Sequence, residues 1–133
     1  MSKGYVLDTS AVLTLIEDEA GAEHVERIVW EEDVWLPWLV LLETYYITYQ
    51  ERDLAEADKR YAMLKQFPVW VIWEATEPVL LTAARLKAEY RISLADAIIA
   101  AFAIYHEATL LHKDPEFEAI GDQVTLEALP YKV

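Results

Sequence analysis

Four carboxylates, Asp8, Glu43, Asp96 and Asp114, occupy positions where a folded chain ordinarily places an apolar or small side chain. Asp8 ends the apolar run Tyr5-Val6-Leu7, and Asp114 follows Ala108-Thr109-Leu110-Leu111. Glu43 is the only charge from Leu36 to Tyr49, and Asp96 the only charge between Ile92 and Tyr105. Carboxylates withdrawn from water are rare unless they are paired or ligate a metal. Two of them about 5 Å apart at an effective dielectric near 20 repel by roughly 3 kcal/mol, equivalent to more than two pKa units. A divalent cation reverses that sign, so the chemistry these acids point to is metal-assisted.

Each acid also has a structural reading. Asp8 is placed to cap a helix that starts at Thr9 or Ser10. Ser93-Leu94-Ala95-Asp96 has the form of a capping box, and Asp114 before Pro115 that of a turn initiator. Glu43 is harder to assign to a polar face, because Leu39-Val40-Leu41-Leu42 precede it and Tyr45-Tyr46-Ile47 follow. The conjunction of the four, rather than any one, favours a common site.

The elements that must position them alternate. Residues 4–8 pattern as a buried strand, 10–19 and 20–31 as helices, and Val34-Trp35-Leu36 as a second strand. Pro37 suits the first turn of a helix over 37–50, which is apolar nearly all round and is expected to be mostly buried. An amphipathic helix over 53–66, a strand at 69–72, helices at 76–90 and 93–107, a strand at 109–112 and a short last strand at 124–126 complete the order. Strands separated by helices imply crossover connections and a parallel sheet covered on both faces. Ligands of such sheets bind beyond the carboxyl ends of the strands, where Asp8 and Asp114 stand. The three glycines, Gly4, Gly21 and Gly121, provide neither a phosphate loop nor a dinucleotide fingerprint.

At 133 residues the chain is expected to form one domain. Its lack of cysteine removes thiolate catalysis and cysteine zinc sites, leaving oxygen ligands and hence Mg²⁺ or Mn²⁺ as the expected ion. Glu43 and Asp96 interrupt the two longest apolar stretches, so no membrane span is expected, and Met1-Ser2-Lys3-Gly4 leaves no room for a secretory signal before the first strand. A cytoplasmic location is the expectation. A net charge of −13 opposes nonspecific attraction to nucleic acid, unless bound cations and basic residues on the rim change the local field. Arg85, Lys87, Arg91 and Lys113 lie nearest the acidic motifs in sequence and are candidates for phosphate contacts, each with an alternative as an ordinary solvated side chain.

The ordered set Leu7-Asp8-Thr9-Ser10, a lone Glu43 within a helix, Ser93-Leu94-Ala95-Asp96-Ala97 and Leu111-His112-Lys113-Asp114-Pro115-Glu116-Phe117 resembles the PIN domain, most nearly the small VapC-type toxins of toxin–antitoxin pairs. The resemblance covers almost the whole chain. It implies a three-layer α/β/α fold over 1–133 with a mainly parallel central sheet of four to five strands, and an Mg²⁺- or Mn²⁺-dependent ribonuclease site. Asp8, Glu43, Asp96 and Asp114 match the family's acidic positions, Ser10 a polar position beside the first aspartate, and Glu116 an auxiliary acid. One departure is His112, where many members carry Thr or Ser; its imidazole replaces that hydroxyl's hydrogen bond, contacts substrate or fills the strand end.

The activity so implied is hydrolysis of RNA, with Asp8, Asp96 and Asp114 as main ligands and Glu43 as ligand, water-holder or base. The resemblance also implies a cognate antitoxin, for which the acidic surface suits basic residues; the tyrosines of helix 37–50 and the five tryptophans exceed what a small core needs, and Trp30, Trp38 and Tyr49 are candidates for a homodimer face or for that antitoxin. Two rivals stand beside it. One is a noncatalytic PIN-like module whose acidic surface binds a basic protein. The other is an aspartyl-phosphate phosphatase, which usually needs a second acid where Ser10 stands.

Overall fold

The computed structural model describes residues 4–132. Strand β1 (Tyr5–Leu7) leads into α1 (Thr9–Ile16) and α2 (Ala22–Glu31), and β2 (Val34–Pro37) into α3 (Trp38–Glu51) and α4 (Leu54–Gln66). Strand β3 (Trp70–Ile72) leads into α5 (Glu77–Glu89) and α6 (Leu94–Tyr105), and β4 (Thr109–His112) into a 3-10 helix (Pro115–Ile120) and β5 (Leu126–Ala128). The strands pair in the order β3-β2-β1-β4-β5, and all four pairings are parallel. Connections as far as β3 advance along the sheet in one direction, and the next returns past β1 to β4. Because such crossovers are right-handed, α1–α4 lie over one face and α5 and α6 over the other. Val6, Leu36, Leu110 and Leu111 are buried, as strands covered on both sides require. The expected α/β architecture with a parallel sheet is present.

Local chemistry sets where the elements begin and end. Gly4 has φ +91°, and a Cβ there would meet the Asp33 carbonyl and the Trp35 ring at 2.6 Å, so only glycine allows β1 to start this close to β2. Asp53 caps α4 by accepting the Glu56 N–H at 2.7 Å. Helix α1 stops at Ile16 rather than running to Glu19, because Asp18 turns into the left-handed region at φ 53°. The expected last strand at 124–126 forms instead at Leu126–Ala128, where β4 offers the partners Leu110, Leu111 and His112, and Val124 goes into the core. The 3-10 helix was not foreseen by apolar periodicity; it is started by the Asp114 cap and Pro115.

Helix α3 departs from the expectation of near-complete burial. Val40, Leu41, Thr44 and Thr48 face inward, whereas Leu42, Tyr46 and Tyr49 are exposed. The helix packs mainly on α4 and α1, with smaller contacts to β2 and α6, and these leave the side carrying Leu42, Tyr46 and Tyr49 exposed. Helices α1, α3 and α4 are joined by the buried Arg60, whose guanidinium reaches Glu17 and Glu56 at 3.0 Å each and the Thr48 hydroxyl at 3.3 Å. Glu17 caps the far end of α1, so this network fixes the helix whose first turn carries Thr9 and Ser10.

Candidate metal centre

Strands β1 and β4 are parallel neighbours in the register Leu7↔Leu111, and the sheet's strand order reverses between them. Their carboxyl ends therefore open onto the crevice where such sheets bind ligands. The Asp8 N–H extends the ladder to the Leu111 carbonyl at 3.0 Å, which puts Asp8 beside the turn carrying Lys113 and Asp114. Asp8 is buried and caps α1, accepting the Ser10 N–H at 3.0 Å and also the Ser10 hydroxyl. That hydroxyl in turn accepts the Lys113 N–H at 2.8 Å. One serine thus joins the start of α1 to the end of β4.

Glu43, half-buried on α3, reaches this corner through Thr9, whose hydroxyl donates to it at 2.6 Å. Asp96 enters from the other face of the sheet in the first turn of α6, where the Ser93 hydroxyl accepts its N–H at 3.1 Å; only 8% of the residue is exposed. Asp114 caps the 3-10 helix by accepting the Glu116 N–H at 2.9 Å. Its own N–H donates to His112 Nδ1 at 3.1 Å, while burial lowers the pKa of that imidazole and so favours the neutral acceptor form. Oxygens of Asp96, Asp114 and Glu116 lie within 4.8 Å of one another. Asp8, Ser93 and Asp114 therefore act as helix caps, and the close acidic group is Asp96, Asp114 and Glu116.

The electrostatics show how the acids combine. Burial pushes the Asp8 carboxyl up to about 6; hydrogen bonds from Ser10 oppose the shift, and the Glu43 charge adds to it. Burial again, followed by the charges of Asp8, Asp114 and Glu116, pushes Asp96 up to about 8 against the Ser93 hydroxyl. Among the described residues, none of these five acids forms an ion pair. At neutral pH the pocket is relieved of its charge only by holding a proton or by taking a cation.

The donor set fits a hard divalent ion, being all oxygen and buried on one side. Oxygens sharing one Mg²⁺ at about 2.1 Å are at most roughly 4.2 Å apart, so the Asp96–Asp114–Glu116 group needs movements of only a few tenths of an ångström. Asp8 and Glu43 are not within that 4.8 Å group; Asp8 is coupled to it through its charge on Asp96, and Glu43 through its charge on Asp8.

The basic candidates are differently placed. Arg85 bonds Gln123 at 3.1 Å and lies 3.7 Å from Glu89, and Lys87 donates to the Ile92 carbonyl at 3.0 Å. The Lys113 ammonium donates to the Ala20 carbonyl at 3.1 Å and lies 3.6 Å from Glu19. Arg91 is exposed, without an ion pair or hydrogen bond among the described residues. Thr9 is the site residue that motif reading passed over; its signal is a hydroxyl at the first helical position directly after the strand-end acid.

A parallel α/β sheet with an acidic cluster at its topological switch point is the class this fold and site define. The chain belongs to the PIN domain family, whose model matches residues 5–123. The fold is that of VapBC2 from Rickettsia felis, solved with a DNA fragment from its promoter (TM-score 0.78, 18% identity, covering 95% of this chain and 98% of that one). It is also that of VapBC-1 from nontypeable Haemophilus influenzae (0.73, 20%, covering 93% and 96%). Mycobacterium tuberculosis VapC20, a toxin that cleaves the sarcin–ricin loop, is similar too (0.74, 19%, covering 96% and 100%). At these identities the likeness is one of fold. Among curated protein sequences, none is similar enough to this chain to be matched.

Proposed function

We propose that this protein is an Mg²⁺- or Mn²⁺-dependent ribonuclease that hydrolyses RNA phosphodiester bonds as the toxin of a toxin–antitoxin pair. The observation that carries the reading is the uncompensated acidic cluster at the ends of β1 and β4 in a chain of the PIN family. Asp8, Asp96 and Asp114 are the proposed main ligands, joined by Glu116 and by Glu43 directly or through a water. A bound divalent ion supplies a more acidic water and neutralises phosphate charge during in-line displacement. Ser10 holds Asp8 in its rotamer, and His112 fixes the Asp114 backbone from the position where many family members carry Thr or Ser.

Arg91 is the readiest of the four basic candidates to meet a phosphate, since Arg85, Lys87 and Lys113 would first have to exchange internal partners. The relatives solved as VapBC complexes support an antitoxin partner. Exposed Trp30 and Tyr49, with the half-buried Trp38, are proposed for that face or for a homodimer. No helix among the described residues is long and apolar enough to cross a membrane, and a cytoplasmic location accords with the reading.

The test is incubation of the pure protein with a structured-RNA pool and Mn²⁺ or Mg²⁺. Cleavage is expected with either ion, is lost in EDTA and returns when metal is restored. A folded protein that binds no metal and cuts nothing would replace this reading with the noncatalytic module, which the net charge of −13 favours.

A further inference from the structure

Beside the acidic cluster lies a cleft of about 390 Å³, lined by Ser10, Leu13, Lys113, Asp114, Tyr131 and Lys132 among others. It shares Ser10 and Asp114 with the proposed metal centre, so whatever it holds adjoins the reacting phosphate. Its volume falls within the roughly 300–1,000 Å³ of small-ligand sites, enough for one nucleotide unit.

Two C-terminal residues give the cleft a character that the four acids lack. The Tyr131 ring is held at two points: its hydroxyl donates to Glu118 at 2.8 Å, and the ring lies 6.2 Å from that of His112, which itself packs on Phe117 at 5.1 Å. It is nonetheless 37% exposed. An aromatic face that is fixed and accessible beside a phosphodiesterase site is suited to stacking an unpaired base. The Lys132 side chain is 74% exposed and pairs with Glu19 at 3.1 Å, whereas that of Lys113 is 5% exposed and is spent on Glu19 and the Ala20 carbonyl. An exposed pair such as Lys132–Glu19 contributes little and exchanges readily for a phosphate.

Resting on the ribonuclease reading, we propose that this cleft binds the nucleotide next to the scissile phosphate of single-stranded RNA, with Tyr131 stacking its base and Lys132 pairing its phosphate. In a chain of net charge −13, a cation here offsets the acidic field where the RNA must pass.

Steady-state cleavage of an unstructured RNA in Mn²⁺ by the full chain tests it. Tyr131→Ala is expected to raise KM about tenfold with kcat within about twofold, the pattern of lost uniform binding, and Tyr131→Phe to restore it. Lys132→Ala is expected to raise KM about fivefold and to reduce the salt slope of log KM by nearly one, with recovery in Lys132→Arg. Unchanged KM in both alanine variants, or a loss confined to kcat, overturns the subsite while leaving the ribonuclease standing. Absence of RNA cleavage by the unmodified protein overturns both.

Discussion

Asp96→Asn is expected to lower metal-dependent RNA cleavage on the order of 10³-fold while making the metal-free protein more stable. Both effects have one cause. Asp96 is buried amid Asp8, Asp114 and Glu116, and its carboxyl is pushed up to about 8, so the fold tolerates it as the acid and resists it as the anion. The amide is a neutral isostere that keeps its volume and leaves the Ser93 cap on its backbone N–H. In EDTA at pH 8, urea unfolding should show Asp96→Asn ahead by on the order of 2 kcal/mol, with the gap closing towards pH 5. Asp8→Asn should likewise abolish cleavage with the fold intact, because an amide oxygen still accepts both Ser10 hydrogen bonds. Full activity in either well-folded variant would refute the site.

The second large effect is a proton linkage. The folded-state pKa of Asp96, about 8, lies above its ordinary value of 3.8, and that of Asp8, about 6, is displaced in the same direction. Groups displaced upward contribute stability that is full below the ordinary value and is lost as pH rises through the folded one. The metal-free protein should therefore lose stability between about pH 4 and 8, with Asp96 contributing across that window and Asp8 acting only in its lower half. A divalent ion must displace the proton on Asp96, so Mn²⁺ binding at pH 7 should release about one proton and at pH 9 almost none. Calorimetric titrations in buffers of different ionisation enthalpy measure that number. A binding heat independent of buffer at pH 7 would contradict the assignment.

Much of this was legible in the sequence because the relevant signals are local. Apolar runs of three or four residues with an acid at or shortly after their ends marked β1 and β4, whereas the adjacency of these two strands is a property of the folded sheet. The lone charges on α3 and α6 marked Glu43 and Asp96. What escaped was decided by contacts distant in sequence. The position of β5 depends on which β4 backbone groups remain unpaired, and apolar periodicity at 124–126 carries no such information. Glu116, ranked as auxiliary, shares a pocket with Asp96 and Asp114 because a 3-10 turn after Pro115 points it there. Lys113 lies next to Asp114 in sequence, yet its side chain runs towards Glu19 and the Ala20 carbonyl; its backbone N–H, not its charge, touches the site. The link from Thr9 to Glu43 spans 34 residues and needs the α1–α3 packing to exist.

The proposed site holds divalent metal where β1, β4 and α6 converge. Anomalous diffraction at the manganese edge from crystals soaked in Mn²⁺ tests it most directly. The expected result is a peak about 2.2 Å from oxygens of Asp96 and Asp114, with Asp8 or Glu116 completing the protein ligands, that vanishes in Asp96→Asn. Manganese bound only elsewhere on the acidic surface, or a peak unchanged in that variant, would contradict it.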